Sequence, residues 1–455
     1  MADTYRWVGR ALDVKQIDTV TIGGTPAATD TVTLTIGQKD LIYTVGTDIT
    51  TTQVASGVKA MIAGEADPGT GDGTRNALGT EVAEFREVTA TVSGAVVTVT
   101  ANTAGKPFTL TAAGGQVAGT ITATRAEAQA CTGKHWVDNA DNWYNETDGE
   151  YEVPTDVDAE GGTLVFDQGN VDVLYALTTL TNISPADVYI RASYEGKIGL
   201  AATNTDDSTW TYPEYRSRKF LLGVDSDAQP ITVAIGQGDG AGSSRLVLSF
   251  GDCEYYCTVM KTATREVTGV PSLLLSGSHA DNTLDVVRGD VGAGLYEGDV
   301  LARFARINVS YLTSQTTDSK VLFGDNCNLD AADIKQSGGE LTIMAATSSG
   351  TIELFGGTCT ILDKAHASIK VSDATLKYHS AAAITALYLY ANGTADFRYN
   401  TEARTVTATE MSKGSALYDS FESVTFTDGI QLKGCKLSDV TIDVGYERLI
   451  DIDHV

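Results

Sequence analysis

The sequence lacks an apolar run of the roughly 20 residues that a membrane-spanning helix needs, so a helical membrane protein is not expected. Its first residues have neither an apolar stretch of signal-peptide length nor a small-residue cleavage site, and we expect folding in a cytoplasm. Only six cysteines occur among 455 residues, too few for a disulfide framework. Cys253 and Cys257 have a spacing that places both on one face of a strand and predicts two core thiols.

Basic residues are also scarce. Lys and Arg total 32 against 59 Asp and Glu, which gives a formal net charge of −27. A surface this acidic repels phosphate backbones and argues against nucleic acid as a partner. It suits a partner that presents a basic surface.

The residues that are abundant favour strands and turns: glycine, with 46 residues, and threonine. One β-branched or leucine position returns every 16 to 19 residues within short apolar–polar alternations: Ile334, Ile352, Ile369, Leu387, Val406, Val424 and Val440. Strands that return at every turn are typical of a β-solenoid, whose coils bury their faces against one another. Residues 331–455 are therefore predicted to form a regular solenoid of about 18 residues per coil. Residues 126–330, where the spacing is looser, are predicted to form an irregular solenoid with inserted loops.

A small α+β domain, an antiparallel sheet with one helix, is predicted for residues 16–125. The helix is indicated by apolar side chains that form one stripe at Val54, Val58, Met61 and Ile62. Period-two alternation predicts strands at residues 18–22, 30–36, 40–45, 87–92, 95–100 and 108–111. The predicted fold class is mainly β, with the small α+β domain followed by a β-solenoid or β-helix.

The segment "DTVTIGGTPAATDTVTLTIGQKDLIYTV", a Thr-led helix and "VTATVSGAVVTVTANTAGKPFTLTA" resemble a small domain that recurs in virion proteins of tailed bacteriophages. The agreement is strongest at residues 104–108 and in the strand before them. The resemblance implies a building block of phage particles, found in tail, fibre and head-associated proteins. It supplies no catalytic residues to transfer.

Two tryptophans open the middle of the chain. Trp136 and Trp143 lie in a segment that resembles the "W-x-D-x-x-N-W … V-P" start of β-solenoids in bacterial surface and phage structural proteins. We expect both to cap the solenoid by closing its first coil, whose apolar end otherwise invites edge pairing.

Residues 1–15 predict an N-terminal arm that carries Tyr5, Arg6, Trp7 and Arg10. Tryptophan and arginine are frequent interface anchors, so one hypothesis is that these four residues anchor the chain to a capsid. The alternative is a terminal strand that packs on its own domain.

Patterns for catalysis or metal binding are weak. Acidic pairs near the aromatic residues Trp210, Tyr212 and Tyr215 are the candidates for a glycan-cleaving site: Asp206 with Asp207, Asp225 with Asp227, and Asp281 with Asp285. Such pairs arise by chance among 59 acidic residues, so we predict solvated carboxylates and no enzyme. Loops at residues 67–73 and 138–142 offer oxygen ligands for Ca²⁺ but lack EF-hand spacing, and no cofactor is predicted.

Three functions stay open. The first is a capsid decoration or head-fibre protein of a phage virion, assembled in the host cytoplasm, that binds the major capsid protein and stabilises the shell. A homotrimer on local three-fold axes suits that function. The second is a tail fibre or tailspike that binds or cleaves host polysaccharide. The third, a bacterial surface adhesin, normally needs an export signal, so we favour the first.

Overall fold

The computed structural model describes residues 3–47, 50–65, 73–154, 162–180, 185–200, 203–207, 210–213, 219–223, 229–295, 301–310, 319–330, 332–344, 350–363 and 365–444, with only the backbone of 203–207 and 210–213. Within this part the protein is mainly β and has one α-helix, Thr51–Ala63, which confirms the predicted fold class. Among the described residues, no helix is long and apolar enough to cross a bilayer.

Most strands stack in parallel along two faces of a solenoid. On the first face, ladder A, each strand pairs with the corresponding strand of the next coil. Its strands are Thr4–Trp7, Thr163–Phe166, Asp187–Arg191, Ile231–Gln237, Tyr255–Val259, Thr283–Val286, Arg306–Val309, Asp333–Ile343, Thr351–Ile361, His366–Ser372, Ile384–Tyr390, Arg404–Met411, Val424–Phe426 and Ile430–Leu432.

The second face, ladder B, is built in the same way, and two long strands, Asp333–Ile343 and Thr351–Ile361, contribute to both ladders. Its other strands are Phe220–Leu221, Leu246–Ser249, Leu273–Ser276, Gly289–Ala293, Ser319–Phe323, Thr375–Tyr378, Thr394–Asp396, Ala416–Tyr418 and Thr441–Asp443. The remaining elements of this part are Trp143–Asn145, Glu150–Tyr151, Thr203–Asp207, Trp210–Pro213, Ala302–Arg303 and Cys327–Asn328, with 3-10 turns at Ala140–Asn142 and Leu437–Asp439.

The predicted repeat is confirmed through four coils. Ile334 pairs with Ile352, Ile352 with Ile369, and Ile369 with Leu387, at steps of 18, 17 and 18 residues. All four side chains are fully buried. The alternation of apolar and polar residues therefore located both the strands and their register in this part of the stack.

The predicted register is wrong after Leu387. Leu387 pairs with Thr409, 22 residues later, and Val406 pairs with Ile384. The longer coil includes the turn at residues 397–403, and each added residue shifts the apolar side chains along the ladder. Val440 lies outside the strands, directly after the 3-10 turn Leu437–Asp439.

One continuous apolar core runs inside the stack from Tyr5 to Val444. It includes Cys253 and Cys257, which confirms the prediction of core thiols. Burying a Leu or Ile side chain contributes about 1.5–3 kcal/mol. Because the apolar layers of successive coils touch, each coil depends on its neighbours for that burial.

The small domain contains two four-stranded antiparallel sheets, whereas a single sheet was predicted. Their strands are Ile17–Gly23, Thr31–Ile36, Lys39–Thr44, Thr74–Arg75, Val88–Ser93, Val96–Ala101, Leu110–Gly115 and Thr122–Gln129, with 3-10 turns at Gly79–Glu81 and Ala83–Glu87. The last of these strands was not predicted, and it extends the domain beyond residue 125. The helix buries the predicted stripe, begins with a capping box formed by Thr50 and Gln53, and ends at Gly64 in the left-handed conformation.

The small domain is inserted into the solenoid. The chain first forms the ladder A strand Thr4–Trp7, then the small domain, and then returns with Trp143–Asn145 beside that first strand. The two units have separate apolar cores. The predicted boundary at residue 15 therefore separates a solenoid strand from the rest of its own coil.

A buried carboxylate, that of Asp30, fixes one end of the small domain. Oδ1 accepts hydrogen bonds from the backbone N–H groups of Val117, Ala118 and Gly119 at 2.8, 2.9 and 3.0 Å, and Oδ2 accepts one from Ala27 at 3.0 Å. Such a nest of amides favours the charged form. The bond from Gly119, and then those from Ala118, Val117 and Ala27, outweigh burial and lower the pKa of Asp30 to about 2.

We expect Asp30→Asn to reduce stability at neutral pH and to flatten its acid dependence. The folded pKa lies below the ordinary value of 3.8, so the stabilisation is complete above about pH 4 and is lost as the pH falls through about 2. Scanning calorimetry between pH 7 and pH 2 measures both effects. Asp239→Asn, at an exposed turn, is the control. An acid dependence identical to that of the wild type would contradict this assignment.

Candidate interaction site at the first coil

The predicted arm is the first strand of the solenoid. Thr4–Trp7 lies between Trp143–Asn145, which runs antiparallel to it, and Thr163–Phe166, which runs parallel. Tyr5 and Trp7 point inward and expose only 2% and 3% of their surface. This burial agrees with the alternative hypothesis, in which a terminal strand packs on its own domain; here that domain is the solenoid.

Aromatic rings close this end of the core. The rings of Trp7 and Trp143 meet edge to face with centroids 5.1 Å apart, and Phe166 lies 5.6 Å from Trp143. Both indole N–H groups are satisfied by backbone carbonyls, Trp7 by that of Val171 at 3.0 Å and Trp143 by that of Val137 at 2.7 Å. Fully buried Trp143 is thus positioned to cover the apolar end of the stack.

Arg6 points outward from the same strand and pairs within the chain. Its guanidinium contacts Glu146 at 2.6 Å and Asp167 at 3.0 Å. Burial opposes ionisation of Asp167, but hydrogen bonds from Ser193 and Arg6 outweigh it and lower the pKa of this carboxyl. Arg6 therefore joins two segments of the first coil.

Arg10 is also used internally. Its guanidinium lies 3.3 Å from the ring centroid of Tyr151 and 3.6 Å from the carboxylate of Asp141. Tyr5 and Trp7 are thus buried and both arginines are paired within the chain, while capsid anchoring by these four residues stays a prediction. In this conformation, residues 4–10 build the first coil.

The root of the inserted domain is held by a buried asparagine. Val14 and Thr132 form an antiparallel bridge where the chain leaves and re-enters the solenoid. Fully buried Asn142 accepts a hydrogen bond from the N–H of Ala11 at 2.9 Å and donates to the carbonyl of Gly133 at 2.8 Å. The segment 138–142, considered above for Ca²⁺, thus contributes the side chain of Asn142 to the hydrogen bonds at this root.

Trp136 connects the two units. Its indole N–H donates to the carbonyl of Gly105 in the small domain at 2.8 Å. Its ring packs against Tyr175 with centroids 5.5 Å apart, and the two residues form a parallel bridge. The structure places both predicted cap residues at the first coil, and Trp136 also fixes the inserted domain.

A polar cleft of about 670 Å³ lies between the small domain and the first coil, and Gln16, Phe108 and Trp136 are among the residues that line it. On its wall, Arg125 binds both oxygens of the fully buried Asp18 carboxylate at 2.9 Å. Arg125 also contacts Glu127 at 3.2 Å, so its charge is compensated within the domain.

The acidic pairs proposed from sequence do not assemble a described site. Asp285 accepts a hydrogen bond from Asn308 at 2.6 Å and lies 3.5 Å from Arg306, while Asp281 is exposed. Asp206 and Asp207 lie on a hairpin of which only the backbone is described, and Asp225, Asp227, Tyr215 and residues 67–72 lie outside the described residues. Among the residues that are described, no group of three His, Cys, Asp or Glu is arranged to hold a metal.

Comparison with protein-family models, curated proteins and solved structures found no match to this chain. The resemblance of the small domain to a phage virion domain therefore stays a prediction.

Sequence reasoning missed a second group of side chains, on the outer surface near the end of the solenoid. His379 and Tyr399 stack in parallel, and buried Arg404 connects the segments that carry them. The five histidines are scattered along the sequence and form no local motif. The sequence signal that could have found this pair is the spacing of about one coil between His379 and Tyr399. Residues one coil apart lie next to each other in a solenoid.

Proposed function

We propose that this chain is a structural protein of a phage virion, a decoration or head-fibre protein that attaches through its inserted small domain. The observation that supports this proposal is the insertion itself. The domain with phage resemblance forms a separate core rooted beside the first coil, and the ladders continue from that coil through a further stack of strands. In this proposal the small domain attaches to the particle and the solenoid projects from it.

Surface exposure supports the same division. Leu12, at the root, exposes 86% of its surface, and Val117, on a loop of the small domain, exposes 72%; these are the two highest values among the large apolar side chains described. Isolated exposed apolar residues are common, but they become useful where a partner covers them. The net charge of −27 complements a basic surface on the shell.

A shell gains stability when a second protein buries area across the joints between its subunits. A standard interface buries about 1,600 Å² in total. Repetition over a symmetric shell multiplies modest contacts, and a homotrimer on local three-fold axes would bind with three small domains at once. The proposed partner is the major capsid protein.

The test removes the small domain and keeps the solenoid. Because Val14 and Thr132 already pair in antiparallel fashion, residues 15–131 are replaced by an Asn-Gly turn, which fits a two-residue hairpin. We expect the shortened protein to lose binding to particles of its own phage that were produced without this chain. Co-sedimentation with those particles measures binding, and circular dichroism verifies that the solenoid is folded.

A milder variant covers the case in which excision disturbs the first coil. Leu12→Asp combined with Val117→Asp places charges at two exposed sites and should weaken co-sedimentation at least tenfold without a change in Tm. Tyr399→Ala, on the solenoid surface, is the matched control and should bind as the wild type does. Full particle binding by both the excised and the double variant would overturn the proposal.

A further inference from the structure

An exposed platform of aromatic rings lies near the end of the solenoid. The rings of His379 and Tyr399 are parallel to within 5°, with centroids 4.3 Å apart. Tyr399 still exposes 46% of its surface, while His379 is half-buried. The stacked rings of His379 and Tyr399 form the ring platform, and Arg398, next to Tyr399, lies over Tyr418 on the following coil, with its guanidinium 4.4 Å from the ring centroid.

The platform is built on a buried guanidinium. Arg404 exposes 4% of its surface and donates to the carbonyls of Tyr378 at 3.2 Å and Ser380 at 2.9 Å, on either side of His379. The same side chain donates to the carbonyl of Asn400, next to Tyr399. Arg404 thus holds together the two segments that carry the stacked rings.

A second hydrogen bond fixes the pair. The Asn400 side chain donates to the backbone carbonyl of His379 at 2.7 Å. Sites that bind ligands tightly hold their contact groups in place before binding, because ordering them afterwards reduces affinity. The rings of the platform are positioned in this way from beneath.

Arg398 is paired beside the platform, and the ammonium of Lys377 lies over the Tyr399 ring, 5.8 Å from its centroid. Asp396 accepts two hydrogen bonds from the Arg398 side chain at 2.9 and 2.8 Å, and Arg398 is the main cause of the lowered pKa of this carboxyl. Burial and the nearby charge of Lys377 lower the pKa of His379, which keeps its ring neutral at pH 7. The patch presents flat rings bordered by hydrogen-bonding groups, on a chain whose net charge of −27 repels polyanions.

We propose that the ring platform binds a neutral polysaccharide, with one sugar ring lying on the exposed face of Tyr399. The face of an aromatic ring is electron-rich and attracts the C–H groups on the flat side of a pyranose. The exposed guanidinium of Arg398, next to Tyr399 in the chain, is placed to meet hydroxyl groups at its edge. Because coils repeat about every 4.8 Å, neighbouring rings offer contacts along an extended sugar chain. This site lies on the solenoid and does not depend on capsid attachment.

Affinity electrophoresis of the full chain tests the proposal, with dextran and galactomannan as neutral probes and hyaluronan as the anionic probe. We expect a neutral probe to retard the wild type and Tyr399→Ala to weaken that binding at least tenfold. Tyr399→Phe keeps the ring and should retain most of the affinity. Phe355→Ala removes a ring with 52% exposure elsewhere on the solenoid and should bind as the wild type does.

Each other outcome overturns the proposal. Failure of both neutral probes to bind would remove the ligand class, and retardation by hyaluronan alone would replace it with a polyanion. Equal affinity of the wild type and Tyr399→Ala, with unchanged Tm, would move any binding away from the platform. An equal loss in Phe355→Ala would indicate non-specific adsorption to exposed rings.

Discussion

Replacement of Arg404 by alanine is expected to lower the free energy of unfolding by about 3–5 kcal/mol. The guanidinium donates to the carbonyls of Tyr378, Ser380 and Asn400 and to the hydroxyl of Ser423. Truncation removes these hydrogen bonds from a buried site, where each lost bond costs about 1–3 kcal/mol if water cannot replace the donor. It also removes the positive charge that attracts the fully buried carboxylate of Asp419.

Urea unfolding followed by circular dichroism measures the change for Arg404. Arg398→Ala is the matched control, since this second arginine lies on the exposed surface and is paired mainly with Asp396. Its effect should be much smaller, because exposed ion pairs contribute little. Equal denaturation midpoints for Arg404→Ala and the wild type would show that the observed hydrogen bonds do not stabilise this corner of the solenoid.

Trp143→Ala is expected to cost about 3–5 kcal/mol, the range for truncation of a fully buried tryptophan. The ring fills the space between Trp7 and Phe166, and its indole N–H is satisfied by Val137. Trp143 lies on the strand Trp143–Asn145, which pairs with Thr4–Trp7. Loss of its ring should therefore loosen Thr4–Trp7 before the rest of the stack.

Hydrogen exchange followed by mass spectrometry distinguishes local from global loosening. In Trp143→Ala, we expect faster exchange at Thr4–Trp7 and Thr163–Phe166, with protection retained at Ile384–Tyr390, ten ladder A strands from Thr4–Trp7. Trp136→Ala is the matched control, because this half-buried indole mainly connects the small domain and should leave the first strand protected. Uniform acceleration along the whole chain would contradict a local cap.

The sequence predicted the solenoid where the repeat was regular. Ile334, Ile352, Ile369 and Leu387 pair as expected because each coil between them has nearly the same length. The prediction failed at Thr409, a polar residue that takes a buried ladder position where the repeat predicts an apolar one. The longer turn at residues 397–403 changed the register. The spacing of apolar residues in the sequence does not reveal the length of such a turn.

The first strand and the ring platform were hidden for a different reason. Tyr5 and Trp7 show the alternation of a half-buried strand, but their partners lie beyond the whole inserted domain. The segments that carry His379 and Tyr399 are held together by Arg404, which binds the carbonyls of Tyr378, Ser380 and Asn400. Local periodicity identifies elements, whereas contacts across an insertion or between turns depend on how the chain returns.

The insertion also sets an order of events during folding. Pairing Thr4–Trp7 with Trp143–Asn145 in an otherwise unfolded chain closes a loop of about 135 residues, and closure entropy grows with loop length. Once the small domain has folded, Val14 and Thr132 are side by side, and the flexible part of the loop shrinks to about 18 residues. The entropic cost of closure then falls by about 2 kcal/mol. The small domain, synthesised before all of the solenoid except its first strand, thus acts as an internal folding aid that delivers this N-terminal strand to the coil it completes.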